Sequence, residues 1–370
     1  MINLWPLYLL LSMVFLLFYI GRSSKFNVCV LYGCIFTIVA AYFFSIPSLI
    51  LHGDASRYVG ELMRIADLSF NEVITQFNEQ GNWTYCFTLL AWLSGQIYAD
   101  GTFFYCIIFL IFLYPFLKLI KEEFSSQDTL VLVFCYLLYP TFINYFTSGI
   151  RQGLGMVFML YGIVKWSRDK RLAAFLLLSF SLLWHYGMLA PYLLLTPFLL
   201  LKNKARVYTV AIVMFVISFF IYIFCDSLVD MVGPYVGNYY AIYFDKQMGG
   251  MLLNTDYQSG VRLGFLAFSM IPMLVYFLLK KNIRKQDIDK CHFFIGVYML
   301  LNAIYLCMSS MVYSDRFASF SWFIMPLVVY ELCISTNFNN IKKYFIVLWL
   351  LLDFILFFYF YGRILFLGDA

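Results

Sequence analysis

From Val207 to Cys225 not one residue carries a charge, and apolar runs of this kind recur along the whole chain. Such a run can cross a bilayer as a helix, which satisfies its own backbone hydrogen bonds where no water is present. About 20 apolar residues are needed, because a rise of about 1.5 Å per residue must cover about 30 Å of hydrocarbon. Only 12% of the 370 residues are charged, and 63% are hydrophobic. Soluble domains carry about 25% charge, so this chain cannot clothe a water-facing surface, and a soluble globular enzyme is excluded. The runs are too long and too continuous for barrel strands, which alternate over about 10 residues. The fold class is therefore an all-α polytopic membrane protein.

The pattern predicts about 12 transmembrane helices, at 4–20, 28–50, 102–117, 129–146, 150–166, 172–186, 188–201, 207–225, 262–280, 292–313, 317–336 and 344–362. Segment 83–98 is read as interfacial or re-entrant. Segment 61–80 is read as an amphipathic helix on the membrane surface, with Leu62, Ile65, Leu68, Val73 and Phe77 on its apolar face. The chain forms one transmembrane domain, 1–370, with two long external connections, 51–82 and 226–261. No basic residue precedes the first span, and Arg22 and Lys25 follow it, which fits an uncleaved anchor with its N-terminus outside.

Eighteen of the 25 basic residues fall in six short connections, including Lys118 and Lys121, Lys165 to Arg171, and Lys280 to Lys290. These mark the cytoplasmic side. The nine cysteines are scattered with no C-x-x-C pair, and the three histidines are dispersed. No zinc ribbon, metal cluster or nucleotide-binding loop is visible, and neither cofactor nor metal is expected. Nothing points to nucleic acid.

Seven basic residues escape the cytoplasmic clusters: Arg57, Arg64, Arg151, Lys246, Arg262, Arg316 and Arg363. Arg151, Arg262 and Arg316 each sit at the outer N-terminal end of a predicted span. A helix N-terminus favours anions, and a guanidinium adds a planar fork matched to phosphate oxygens. The bland alternative is snorkelling to the interface, or pairing with a neighbouring acid such as Asp315 beside Arg316. The segment HGDASRY puts Asp54 three residues before Arg57, spaced to pair on one helical face. Asp54 is a candidate base or metal ligand, or merely a helix cap. His185, in SLLWHYG, is a candidate general base near neutral pH, or an interfacial residue of an aromatic belt. Asp353 falls in mid-span, where an unpaired acid costs about 3 kcal/mol. The outer loop GPYVGNYYAIYFDKQ offers Tyr239 and Tyr240 as sugar-stacking rings or as interface tyrosines.

Taken in order, HGDASRY, TSGIRQGLGMVF, the basic turn KWSRDKR, LLSFSLLWHYGMLAPYLL and SDRFASFSWF resemble the EpsG-like group of Wzy-type polysaccharide polymerases. The likeness spans roughly residues 50–325, and Tyr-Gly after the histidine departs from the family's usual small residues. It implies a GT-C-like inner-membrane glycosyltransferase, metal-independent and active at the periplasmic face. Its implied partners are an undecaprenyl-pyrophosphate-linked oligosaccharide donor and acceptor, membrane lipids and a chain-length regulator. On that reading Arg57, Arg151, Arg262 and Arg316 hold pyrophosphate, and His185 or Asp54 activates the acceptor. Tyr58, Gln152, Tyr239, Tyr240 and Asp315 contact the glycan. The alternatives are a single-sugar transferase or ligase of the same broad class, and a flippase of lipid-linked sugars. The flippase predicts charges along a path on both faces, whereas the displaced arginines here all fall on one. An acyltransferase is disfavoured by a lone histidine without an acid on its own helix.

Overall fold

The structure is a computed structural model that describes residues 46, 50, 53–80, 84–124, 126–147, 149–199, 204–224, 262–309, 311, 314–338 and most of 344–356. The predicted spans 4–20 and 28–50, apart from Ile46 and Ile50, lie outside the described residues, as do the loop 226–261 with Tyr239 and Tyr240, and His52. Every named element among the described residues is helical. Five helices are long and apolar enough to cross a membrane: Gly101–Glu123, Arg206–Ile223, Leu263–Asn282, Lys285–Cys307 and Ser314–Ile334.

The chain divides into two compact units, Met1–Leu189 with Asn339–Ala370, and Ala190–Phe338. In the first, α1 spans Gly53–Ala66, α2 Phe70–Gln80, α3 Tyr85–Ile97 and α4 Gly101–Glu123. They are followed by α5 Ser126–Leu138, α6 Pro140–Thr147, α7 Ile150–Ser167 and α8 Arg171–Leu182.

The amphipathic segment predicted at 61–80 is two helices. The first ends at Ala66, and Ser69 caps the second: its N–H and hydroxyl both donate to Glu72 at 2.7 Å, and the Glu72 N–H donates back to the hydroxyl, a capping box. These bonds hold the Glu72 carboxyl below the usual carboxylate range. The expected apolar face survives the break, because Leu62, Ile65 and Val73 are buried. Segment 83–98 is the 13-residue α3, about 20 Å long and too short to span. It packs along α1, and its Gln96 and Trp92 side chains donate to the Ala66 and Leu68 carbonyls at 2.6 and 2.9 Å. Ala66 closes α1, so its carbonyl has no partner inside the helix, and Leu68 lies in the bend beyond it.

The span predicted at 129–146 is also broken, between α5 and α6. Tyr139 precedes Pro140, and the proline ring disfavours helical backbone in the residue before it. Pro140 itself sits at the first position of α6, where its missing N–H costs nothing. The span predicted at 172–186 ends early, at Leu182.

Almost every residue of α7 is buried, and its glycines explain how. A Cβ on Gly153 would lie 2.1 Å from the Tyr145 carbonyl oxygen, and one on Gly155 2.6 Å from Met188. Backbone-to-backbone approach of this kind is the use of small residues in membrane helices. α4 and α7 run in the same direction. Their C-terminal ends are joined by the Lys165–Glu122 ion pair, by Tyr161 donating to Glu122 at 2.8 Å, and by Arg168–Glu123 at 3.2 Å. Between α4, α5 and α6 runs an aromatic chain: Phe104, Tyr105, Phe109, Phe146, Phe112, Phe142, Phe116 and Tyr136. Asp353 is fully buried in this unit beside Trp349 and Cys135.

The second unit holds α9 Leu189–Leu199 from its second residue onward, then α10 Lys204–Ile223 and α11 Leu263–Ser269. It continues with α12 Ile271–Leu279, α13 Ile288–Cys307 and α14 Ser314–Ile334. α13 and α14 are its buried centre, and α10 packs on α13. α10 keeps Val210, Val213, Ile217 and Phe220 exposed at helical spacing, the apolar face of a lipid-facing helix. Glu331 of α14 is buried and paired with Lys290 at 2.9 Å.

Candidate functional site

The first unit gathers a site at the end opposite the Glu122–Lys165 pair. α1 has two faces. Ala55, Tyr58, Leu62 and Ile65 recur at three- and four-residue spacing and are buried, against α3. Asp54 and Arg57 take the other face and pair at 2.9 Å. The Arg57 side chain is 62% exposed, so the pair adds little stability, and its guanidinium remains reachable from outside.

Tyr58 is 3% exposed. Its ring meets Phe87 of α3 edge-on, with centroids 5.1 Å apart. Above both lies Arg151, the second residue of α7, its guanidinium carbon 4.9 Å from the Tyr58 centroid and 5.6 Å from that of Phe87. A second cation, Arg57, stands 5.7 Å from the same Tyr58 ring. Helical side chains lean towards the N-terminus, so Arg151 reaches up from α7 to the start of α4, where Phe87 packs on Phe104 at 5.6 Å. Arg151 Nε is buried and has no hydrogen-bond partner among the described residues. Ring faces attract a guanidinium by about 0.5–2 kcal/mol without consuming its N–H groups. The aromatic pair therefore holds Arg151 in place and leaves a donor unused.

His185 lies beyond α8 rather than at its end. It is extended (φ −158, ψ 131) and caps the 3₁₀ turn Tyr186–Met188. Its Nδ1 accepts from the Gly187 N–H at 3.1 Å. A neutral ring with Nδ1 accepting carries its proton on Nε2, so Nε2 is a donor. The ring stacks on Tyr186 at 4.6 Å. This turn is tied to α3. Thr84 makes no side-chain cap there, and the Cys86 N–H donates instead to the Leu183 carbonyl at 2.9 Å. One bond thus satisfies an orphan donor at the start of α3 and an orphan acceptor at the end of α8. Burial raises the Cys86 thiol above its ordinary range, which disfavours the nucleophilic thiolate.

Asp54, Arg57, Tyr58 and Arg151 thus form a chain of contacts, each to the next, and the His185 turn is bonded to the residue beside Phe87. Gln152 is buried. Arg262 and Arg316 belong to the second unit. Arg262 is the N-cap of α11, its guanidinium 4.9 Å over Phe265, and Phe265 packs on Trp322 of α14 at 5.1 Å. Arg316 is the third residue of α14 and exposed, with its carbonyl accepting from Ser319 at 2.6 Å. Asp315, beside it in the first turn, is half-buried. Each of the three arginines therefore opens a helix, as the sequence predicts. Sequence reading missed Phe87, which supports Arg151, and Tyr105, whose ring packs on Phe104 behind Phe87. Both are lost in apolar runs, and no signal distinguishes them there. Among the described residues no three His, Cys, Asp or Glu are grouped to hold a metal.

A family model described as the EpsG family matches residues 51–366. No curated protein and no solved structure matches the chain.

Proposed function

The chain belongs to the EpsG family of Wzy-type polysaccharide polymerase-like membrane proteins, and from that premise we propose that it polymerises lipid-linked glycans. In this reading it works in the bacterial inner membrane, on the periplasmic side. It moves a growing chain from undecaprenyl pyrophosphate onto the next lipid-linked repeat unit. A hydroxyl oxygen of the acceptor sugar attacks the anomeric carbon of the donor chain, and the carbon–oxygen bond to pyrophosphate breaks. The pyrophosphate leaves with the bonding electrons, and the hydroxyl proton passes to a base.

The observation that carries this reading is Arg151, fixed against two aromatic rings with Nε buried and unused. A preorganised cation stabilises the charge that develops on a departing pyrophosphate. Arg57 is the solvent-exposed second cation, and Arg262 and Arg316 serve the second lipid pyrophosphate. The tautomer of His185 favours donation through Nε2 to a phosphate or sugar oxygen, which leaves Asp54 as the base. Tyr239, Tyr240 and Asp315 contact the glycan. The chemistry requires no metal or cofactor, and a chain-length regulator is the expected protein partner.

The test is a ladder of surface polysaccharide on a gel. Cells with Arg151→Ala in place of the wild type accumulate single repeat units and lose the long chains. Unaltered ladders would sink the reading. Substrate trapped on the cytoplasmic side would point to a flippase instead.

A further inference from the structure

The membrane-crossing stretch Leu263–Asn282 is interrupted where α11 ends at Ser269 and α12 begins at Ile271. Pro272, in the first turn of α12, lacks the N–H that would continue the helical ladder back to Phe268. Ser269 at this break is fully buried, and two long side chains clasp it. The Tyr298 hydroxyl of α13 donates to the Ser269 carbonyl at 2.8 Å, and the Trp322 indole N–H of α14 donates to the Ser269 hydroxyl at 2.7 Å. The same indole meets two rings of α11 edge to face, Phe265 at 5.1 Å and Phe268 at 5.0 Å. Phe265 in turn lies under the guanidinium of Arg262, 4.9 Å from its carbon. Each link from Arg262 through Phe265 to Trp322 is therefore a direct contact. Trp322 also belongs to α14, the helix that opens with Asp315 and Arg316. Apolar packing alone lets one helix slide on another, whereas a hydrogen bond is directional. The Trp322–Ser269 bond thus fixes α11 on α14 in both distance and rotation.

We propose that Trp322 is a positioning residue for the second pyrophosphate site: through Phe265 it sets where Arg262 stands relative to Arg316. The proposal rests on the reading that these two arginines serve a lipid pyrophosphate, and it adds the mount that holds them in register. Two guanidinium forks grip one pyrophosphate only when their planes meet its oxygens at set distances and angles. A rigid mount supplies that geometry before the ligand arrives, so less ordering is left for binding to overcome. Trp322 itself is 4% exposed and touches no ligand; it acts through the ring of Phe265.

The experiment uses the purified full chain in detergent. Modification of each arginine by phenylglyoxal is followed by peptide mass spectrometry over a titration with farnesyl pyrophosphate. In the wild type the ligand protects Arg262 and Arg316 with one shared midpoint. Trp322→Leu removes both the ring and the indole N–H, and raises that midpoint about tenfold. The midpoint at Arg151 stays at its wild-type value, which a general loosening of the fold would not allow. Phe265→Leu is the second variant, and it decides if Trp322→Leu does not fold. It takes away the ring under Arg262, leaves the bond from Trp322 to Ser269 in place, and raises the Arg262 midpoint in the same way. If wild-type Arg262 is protected and both variants keep its midpoint, Trp322 loses its role and the pyrophosphate reading stands. Equal rises at Arg151 and Arg262 would mark a purely structural residue and overturn the proposal too. If farnesyl pyrophosphate leaves wild-type Arg262 unprotected, the pyrophosphate reading of that arginine fails and takes Trp322 with it.

Discussion

The guanidinium of Arg151 rests 4.9 Å above the ring of Tyr58, held by a face that takes up none of its hydrogen bonds. Position and bonding capacity are thereby separated: the ring fixes where the charge is, and the N–H groups stay available. Arg151→Lys keeps the charge and loses the planar fork. We expect it to reduce polymer formation by about tenfold or more, and Arg151→Ala by about a hundredfold or more. Both are read from chain-length ladders at matched protein levels.

Arg57 separates activity from stability. Its pair with Asp54 is solvent-exposed on the arginine side, and such pairs contribute about 0–1 kcal/mol. Arg57→Ala should therefore melt close to the wild type while its ladder shortens. A large fall in melting temperature with normal ladders would reverse the assignment.

His185 can be tested through its tautomer. A general base contributes about 10²–10⁴ in rate. With Nδ1 occupied by the Gly187 N–H, the ring is a donor, and His185→Gln can still donate. Turnover of a lipid-linked substrate in detergent should then stay within about tenfold of the wild type, with an unchanged pH profile. Loss of the acidic limb of the pH profile together with a thousandfold fall would restore His185 as the base.

Two glycines make a matched pair. Gly153→Ala puts a methyl group 2.1 Å from the Tyr145 carbonyl oxygen. Overpacking against backbone costs about 1–3 kcal/mol or more, so folded yield and melting temperature should drop sharply. Gly60 lies mid-helix in α1 with open space around it, and Gly60→Ala should be stabilising by about 0.5–1 kcal/mol.

The Lys165–Glu122 pair ties the ends of α4 and α7, with side chains only 14% and 24% exposed. Removing one partner strands the other charge. A double-mutant cycle with Lys165→Met and Glu122→Gln should give a coupling of about 1–2 kcal/mol in thermal melts. Additive single effects would mean that the two ends are held by packing alone.

What could be read from the sequence follows a physical division. Arg151 was legible because it breaks the charge rule that orients the chain, and in so apolar a protein an exception stands out. The start of α7 was legible for the same reason. The break at Ser69 was missed although Ser69 and Glu72 spell a capping box, because the apolar spacing of Leu62, Ile65, Leu68 and Val73 runs on through it. The break at Tyr139 was likewise written in Pro140. Phe87 could not be found, since one phenylalanine in an apolar run means nothing until its neighbours are known. The tautomer of His185 depends on a single backbone N–H, which spacing does not reveal.

The bond from the Cys86 amide to the Leu183 carbonyl joins the strand of chain that carries Phe87 to the turn that carries His185. No motion can part those two walls while it holds. Exchange of that one amide proton with solvent is therefore a clock for the opening of the site, and a bound ligand that bridges the walls should slow it.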